Sequence, residues 1–213
     1  MLIEFGLIIF IFIFYFLFYV EFKINKNNKI FKYDKELTRQ NINNEILLKM
    51  PFYFDGSHLN QDLNIEDYKL EKKDKKIKEY SILENTLILL KPYIKCGSNH
   101  KLYVLKKDGK IDIHKNNESI NYYFIRDGKC EIFLIHPKFR DNFNESKNKI
   151  ALESYIENNK HFHRIDGKKG NIVFIPNNWL LYIKNKQSEE CYIEKLSFST
   201  IINKFMLYFK KNT

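Results

Sequence analysis

The chain opens with an unbroken apolar run. Leu2 to Val20 reads LIEFGLIIFIFIFYFLFYV, with Glu4 as its only charge. At 1.5 Å per residue a helix of this length spans roughly 28 Å, close to the hydrocarbon thickness of a bilayer. It is apolar on every side, whereas a helix in a soluble core shows a polar stripe. Tyr15 and Tyr19 fall near the far end, where amphipathic rings favour a membrane interface.

Polarity then takes over. Residues 21–45 (EFKINKNNKIFKYDKELTRQNINNE) are rich in Lys and Asn and predict a solvated linker. A second charged stretch, KLEKKDKKIKEY at 69–80, mixes signs without an apolar stripe and predicts an exposed face or loop. Ser81-Ile-Leu-Glu84 has the capping-box pattern. Leu83, Leu87, Leu90 and Ile94 follow at helical spacing, with Pro92 near the end, which predicts a short core-facing helix over 81–91.

From residue 101 the period shortens. KLYVLKKDGKIDIHK and INYYFIRDGKCEIFLI are each two β-type runs joined through Asp-Gly (Asp108-Gly109 and Asp127-Gly128), which predicts tight hairpins. A helix is expected over 147–158. HFHRI, NIVFI, LLYIKN and CYIEKLSFS then follow as strands bounded by Gly, Pro, Asn or Ser. Ile201, Phe205 and Phe209, four apart, predict a closing amphipathic helix over 200–210. Many short strands without intervening helices point to a mainly β sandwich or barrel, since α/β folds place a helix between successive strands. The expected organisation is an anchor over 1–21, a linker over 22–45 and one domain over 46–213.

Composition agrees. Aromatic content of 16% within 44% apolar residues argues against disorder and favours strands. The formal charge of +10 invites a nucleic-acid reading, but only Arg39, Arg126, Arg140 and Arg164 are arginines; the other basic residues are lysines. Bidentate recognition of phosphate and guanine prefers Arg, and no zinc-finger spacing or RNP motif is present. The charge suits anionic headgroups beside the anchor instead. Cys96, Cys130 and Cys191 are far apart and odd in number, as free thiols of a reducing compartment would be.

A cleaved signal peptide needs a basic start and a small-residue cleavage site, and neither is present. Lys23, Lys26, Lys29 and Lys32 lie just after the span, so the positive-inside rule keeps that side in the cytosol. The expectation is a single-pass membrane protein, N-terminus out, with a cytosolic C-terminal domain.

YYFIRDGKCEIFLIHPKF resembles the second half of the metal-site region of Jumonji C and related cupin-like hydroxylases. GKKGNIVFIPNNWLLYIKN is similar to that family's later strand pair, with Gly170, Phe174, Ile175, Pro176 and Trp179 at matching spacings, and CYIEKLSFST resembles its closing strand. The resemblance covers about residues 100–200. It implies a double-stranded β-helix, a cupin-like jelly roll with flanking helices, and in active members Fe(II) held by two His and a carboxylate with 2-oxoglutarate as cosubstrate. Three protein ligands leave positions open for cosubstrate and oxygen.

Carried over position by position, the resemblance places the His-x-Asp pair at His114-Lys115-Asn116, with an amide where a carboxylate belongs. The distal His position is Leu181, flanked by Leu180 and Tyr182, and the 2-oxoglutarate lysine position is Cys130, with Lys129 beside it on the other strand face. The reading that follows is a pseudoenzyme without catalytic, cofactor-binding or metal residues, its vestigial positions being His114, Asn116, Leu181 and Cys130. It would bind or scaffold an unidentified protein or small molecule. The alternative is an active hydroxylase whose displaced triad joins His114 to Glu118 or Asp112. A third is a structural protein that assembles with its own copies through the C-terminal helix.

Other candidates have simpler readings. His161 and His163 share a strand face and could chelate a metal, but two surface imidazoles suffice. Cys130 near His114 or His136 could be a nucleophile, but CEIFLI reads as core, and reactivity needs an electropositive, accessible setting. Asn144-Glu-Ser146 fits a glycosylation site that a cytosolic domain would not use.

Overall fold

The computed structural model describes residues 2–34, 37–57, 89–92, 95–142, 162–185 and 187–212. The helix expected over 147–158, the charged stretch 69–80, His161 and the Asn144–Ser146 pattern lie outside these residues; of the helix expected over 81–91, only the helical Leu89 and Leu90 and the residue after them fall inside.

The apolar run forms helix α1 (Leu2–Phe22). Its Glu4–Phe22 portion is 6% buried and is long and apolar enough to cross a membrane. Residues 22–45 are not a bare linker. They contain β1 (Phe31–Tyr33) and most of α2 (Arg39–Leu47), which is N-capped by Thr38 accepting from the Asn41 N–H at 3.2 Å. Two apolar residues at helical spacing, Ile42 and Ile46, bury α2 against the sheet, enough to override a Lys/Asn-rich background.

Next come β2 (Phe52–Asp55), β3 (Gly97–Leu105), β4 (Lys110–Lys115), β5 (Ile120–Asp127) and β6 (Lys129–Ile135). After a 3-10 turn over Pro137–Asn142 follow β7 (Phe162–Lys168), β8 (Asn171–Pro176), β9 (Leu180–Lys184) and β10 (Cys191–Ser199), and the described chain closes with α3 (Ile201–Asn212). The strands form a six-stranded sheet in the order β1-β2-β8-β5-β10-β3 and a four-stranded sheet in the order β4-β9-β6-β7.

This order defines the fold. From β3 to β10 successive strands alternate between the sheets except at β6–β7, and the first strand pairs with the last. That is an eight-stranded jelly roll, a double-stranded β-helix, with β1 and β2 extending the larger sheet. The expected hairpins are corrected here. Asp108-Gly109 and Asp127-Gly128 are corners at which the chain crosses from one sheet to the other, because β3 and β5 lie in the large sheet while β4 and β6 lie in the small one. The residue chemistry is the same for either geometry: Asp108 has φ 54° and Gly128 φ 80°, and a Cβ on Gly128 would stand 2.9 Å from the Glu190 carbonyl. What decides between a hairpin and a corner is burial. β5, β6, β8 and β10 are covered on both faces, so they are interior strands of two packed sheets and not a half-exposed ribbon.

Two cores result. Tyr123, Ile125, Ile132, Leu134, Val173, Ile175, Leu181, Ile183 and Ile193 fill the space between the sheets with Trp179 at its edge. Phe52, Phe54, Tyr122, Phe124, Phe174, Leu196 and Phe198 point outward from the large sheet and meet Ile42 and Ile46 of α2. The polar segment after α1 is fastened at several points: Asn177 donates to the Glu21 carbonyl at 3.3 Å, Asn25 to Leu48 at 2.7 Å, and His136 meets the Asn25 carbonyl at 2.7 Å. α3 is capped by Thr200, which accepts from the Asn203 N–H at 3.1 Å, and it touches α1 through Phe205 and Phe14, ring centroids 6.1 Å apart.

Candidate functional site: the mouth of the barrel

Strand alternation sorts the polar residues of β4, β5 and β10. Lys195 lies between Glu194 and Leu196, which face outward, so it points into the barrel beside Tyr123, with Nζ 5.7 Å from that ring. Glu118, just before β5, meets Lys195 at 3.2 Å. His114, on β4, completes the group.

The ring of His114 is held at Nδ1. Nδ1 lies 3.0 Å from the Asp112 carbonyl and Nε2 lies 3.4 Å from the Tyr123 hydroxyl. Only a donor can face a carbonyl, so the neutral ring carries its proton on Nδ1. Tyr123 donates its single hydroxyl proton to Asn116 Oδ1 at 2.7 Å, so its oxygen abuts the unprotonated Nε2 of His114 without a hydrogen between them. Burial holds His114 below its ordinary pKa of 6.5; the Asp112 carbonyl opposes this, and Lys195 and Lys101 reinforce it. Burial also raises the Tyr123 phenol well above 10.0. The mouth therefore presents a neutral imidazole, a neutral phenol and a Lys195–Glu118 pair.

The remaining carried-over positions fall as follows. Leu181 is the direct register partner of His114 across the β4–β9 ladder and is fully buried. Asn116 is also fully buried; its Oδ1 serves Tyr123 while its Nδ2 has no partner. Cys130 lies in the core, where the adjacent Cys191 thiol and burial push its pKa upward, away from the thiolate. It sits in the apolar interior and not beside an imidazole. The side chain of Asp112 is exposed, and Glu118 is committed to Lys195.

This donor set does not fit a facial iron triad. Imidazole, carboxamide and isobutyl groups stand where two imidazoles and a carboxylate would be needed. Among the described residues no three His, Cys, Asp or Glu side chains gather in a metal-binding group. His136 has both ring nitrogens engaged, Nε2 with the Asn25 carbonyl and Nδ1 accepting from the Lys138 N–H, and packs edge-on to Trp179. His163 meets Asn28 Oδ1 at 2.7 Å.

Sequence reasoning missed two groupings. Lys195 reads as an ordinary surface lysine until the alternation of β10 is fixed by structure. On the opposite face of the same strand, Glu194 is buried between Arg126, with which it forms an ion pair, and His100, whose Nε2 it hydrogen-bonds, while the Arg126 guanidinium lies 3.7 Å from the Phe124 ring centroid. The available signal was the Glu194-Lys195 dipeptide within an otherwise uncharged strand, since adjacent charges on a strand must face opposite sides.

No protein-family model matches the chain, and no curated protein matches it. Solved structures overlap it weakly. The oxalate decarboxylase of Lactobacillus farciminis, in its formate complex, is 12% identical with a TM-score of 0.35; the overlap covers 49% of this chain and 25% of the decarboxylase. The Drosophila melanogaster CENP-C cupin domain is 8% identical with a TM-score of 0.34, covering 47% of this chain and 59% of that one. A cupin superfamily protein of Desulfitobacterium hafniense is 10% identical with a TM-score of 0.33, covering 48% and 67%. This chain thus spans about a quarter of the decarboxylase. The strand order, and not these likenesses, defines the fold.

Proposed function

We propose that this protein is a membrane-anchored, cytosol-facing jelly-roll module that binds a ligand and does not catalyse. The observation that carries the reading is the pairing of His114 with Leu181. A fully buried leucine faces His114, and the neighbouring amide oxygen of Asn116 is already bonded to Tyr123. A redox metal needs converging donors, and these side chains are engaged with one another. Lys101, the register partner of Lys195 on β3, shares its face and suits a small ligand rich in acceptor oxygens. The membrane part of the proposal is supported by the length and apolarity of α1, and the orientation by Lys23, Lys26, Lys29 and Lys32.

The test is iron loading of the full chain in detergent micelles, followed by metal analysis and a 2-oxoglutarate turnover assay. The expected result is metal at background and no succinate. One tightly held iron per chain, with succinate released, would replace this reading with that of an Fe(II)/2-oxoglutarate-dependent hydroxylase.

A further inference from the structure

A cavity lies where α1 and α3 meet the end of the jelly roll. Its volume is about 400 Å³, and it is lined on the polar side by Asn116, Asn117, Asn177, Asn178 and Asn203 and on the apolar side by Phe22, Met206, Leu207 and Phe209. That volume is within the range of ligand pockets.

The asparagines come from two loops and a helix start. Asn116 and Asn117 follow β4, Asn177 and Asn178 follow β8, and Asn203 is in the first turn of α3. They are fixed by their own bonds: the Asn178 N–H donates to the Asn116 carbonyl at 3.3 Å, and Asn203 Nδ2 donates to the Asn117 carbonyl at 2.8 Å. Two buried polar atoms are left over, and they are complementary. Asn116 Nδ2 is a donor without an acceptor, and Asn203 Oδ1 is an acceptor without a donor. Both residues are at most 2% exposed and both line the cavity. Buried amide atoms of this kind are normally satisfied, so the pair marks a place for a group that both donates and accepts. Lys115, the one cation among the described lining residues, already has a partner of its own.

We propose that this cleft binds a membrane amphiphile with an uncharged hydroxyl-bearing headgroup, of the monoacylglycerol class, its hydroxyls bridging Asn116 and Asn203 and its chain lying along Phe22, Met206 and Phe209. A hydroxyl donates and accepts at once, and an anionic headgroup would find no free cation in this lining. The assignment rests on α1 as a membrane span, because Phe22 ends that helix and opens the cleft at the level where lipid headgroups would lie.

The experiment uses the full chain in detergent micelles and two pyrene-labelled probes with the same acyl chain, a monoacylglycerol and a methyl ester. The expected result is one monoacylglycerol per chain, bound at least tenfold more tightly than the ester, and a tenfold loss in Met206→Trp, whose indole fills the cleft. Equal binding of the two probes by the wild-type chain overturns the proposal whatever the variant does, as does undiminished binding by a folded Met206→Trp. Carbonate extraction separates this from the anchor reading. A chain released from membranes that still discriminates the probes refutes the anchor and keeps the cleft, and a retained chain without discrimination does the reverse.

Discussion

The buried charges on the outer face of the large sheet give the sharpest stability prediction. Glu194 and Arg126 are 1% and 3% exposed at the side chain, and Glu194 also holds His100. Glu194→Gln keeps the shape but removes the charge that pairs with Arg126 and accepts from His100. Breaking a buried ion pair from one side destabilises by about 3–5 kcal/mol, because the remaining charge stays out of water. For a chain of this size each kcal/mol lowers Tm by about 2–4 °C, so the variant should melt about 6–20 °C below wild type. Arg126→Met and Glu194→Met should each fall in the same range. The double variant Arg126→Met/Glu194→Met should recover most of the loss, since well-packed apolar groups of similar volume replace a buried pair at little cost or with a gain. Trp179, the single tryptophan and buried against the barrel core, reports unfolding by fluorescence in urea or on heating. The acid limb gives a second readout. Burial pushes the Glu194 pKa up, but His100 and Arg126 more than reverse this and hold it below 4.5. Its contribution is therefore present above about pH 4.5 and is lost as pH falls through the lowered folded value, and Glu194→Gln should lack that limb. Single variants within about 1 kcal/mol of wild type, or a double variant whose loss equals the sum of the singles, would refute the reasoning.

Leu181→Ala empties a fully buried site between the sheets and should destabilise by about 2–5 kcal/mol in the same urea titration; a loss under about 1 kcal/mol would mean that the mouth is not packed as described. His114 and His163 both have pKa values below 6.5, chiefly through burial, so their stability contribution is full above pH 6.5 and declines as pH falls below it. Tm measured from pH 8 to pH 5 should drop through this window, and a flat profile would contradict the assignment. In carbonate extraction the full chain should remain with the membrane pellet, and a variant lacking Leu2–Val20 should move to the supernatant; release of the full chain would remove the anchor.

Much of the barrel was legible because its strands are separated by Gly, Pro and Asn and are rich in aromatic and β-branched residues. Phe162–Lys168, Asn171–Pro176, Leu180–Lys184 and Cys191–Ser199 fall where the pattern predicts strands, and α3 falls where Ile201, Phe205 and Phe209 predict a helix. The partner of each strand was not legible. Asp-Gly serves a hairpin and a sheet-crossing corner equally well, and the choice depends on which faces are covered by residues distant in sequence. α2 was hidden because two isoleucines carry its burial among Asn, Gln and Glu. At the mouth, His114, Asn116 and Leu181 were placed by the resemblance to Jumonji C and related cupin-like hydroxylases. Lys195 and the Glu194–Arg126–His100 group could not, because local sequence does not fix the register of β10 against β3 and β5.

The fastening of residues 21–28 bears on how far the barrel can reach. Twenty-five disordered residues would let a domain wander over a radius of about 25–30 Å from its anchor. Here Glu21, Asn25 and Asn28 are each bonded to the jelly roll within a few residues of the end of α1. With α1 in a bilayer, the domain would be a fixture and not a lure on a line. Whatever it recognises would have to arrive at the lipid surface already oriented, and lengthening the chain after Phe22 should widen its catchment at the expense of that alignment.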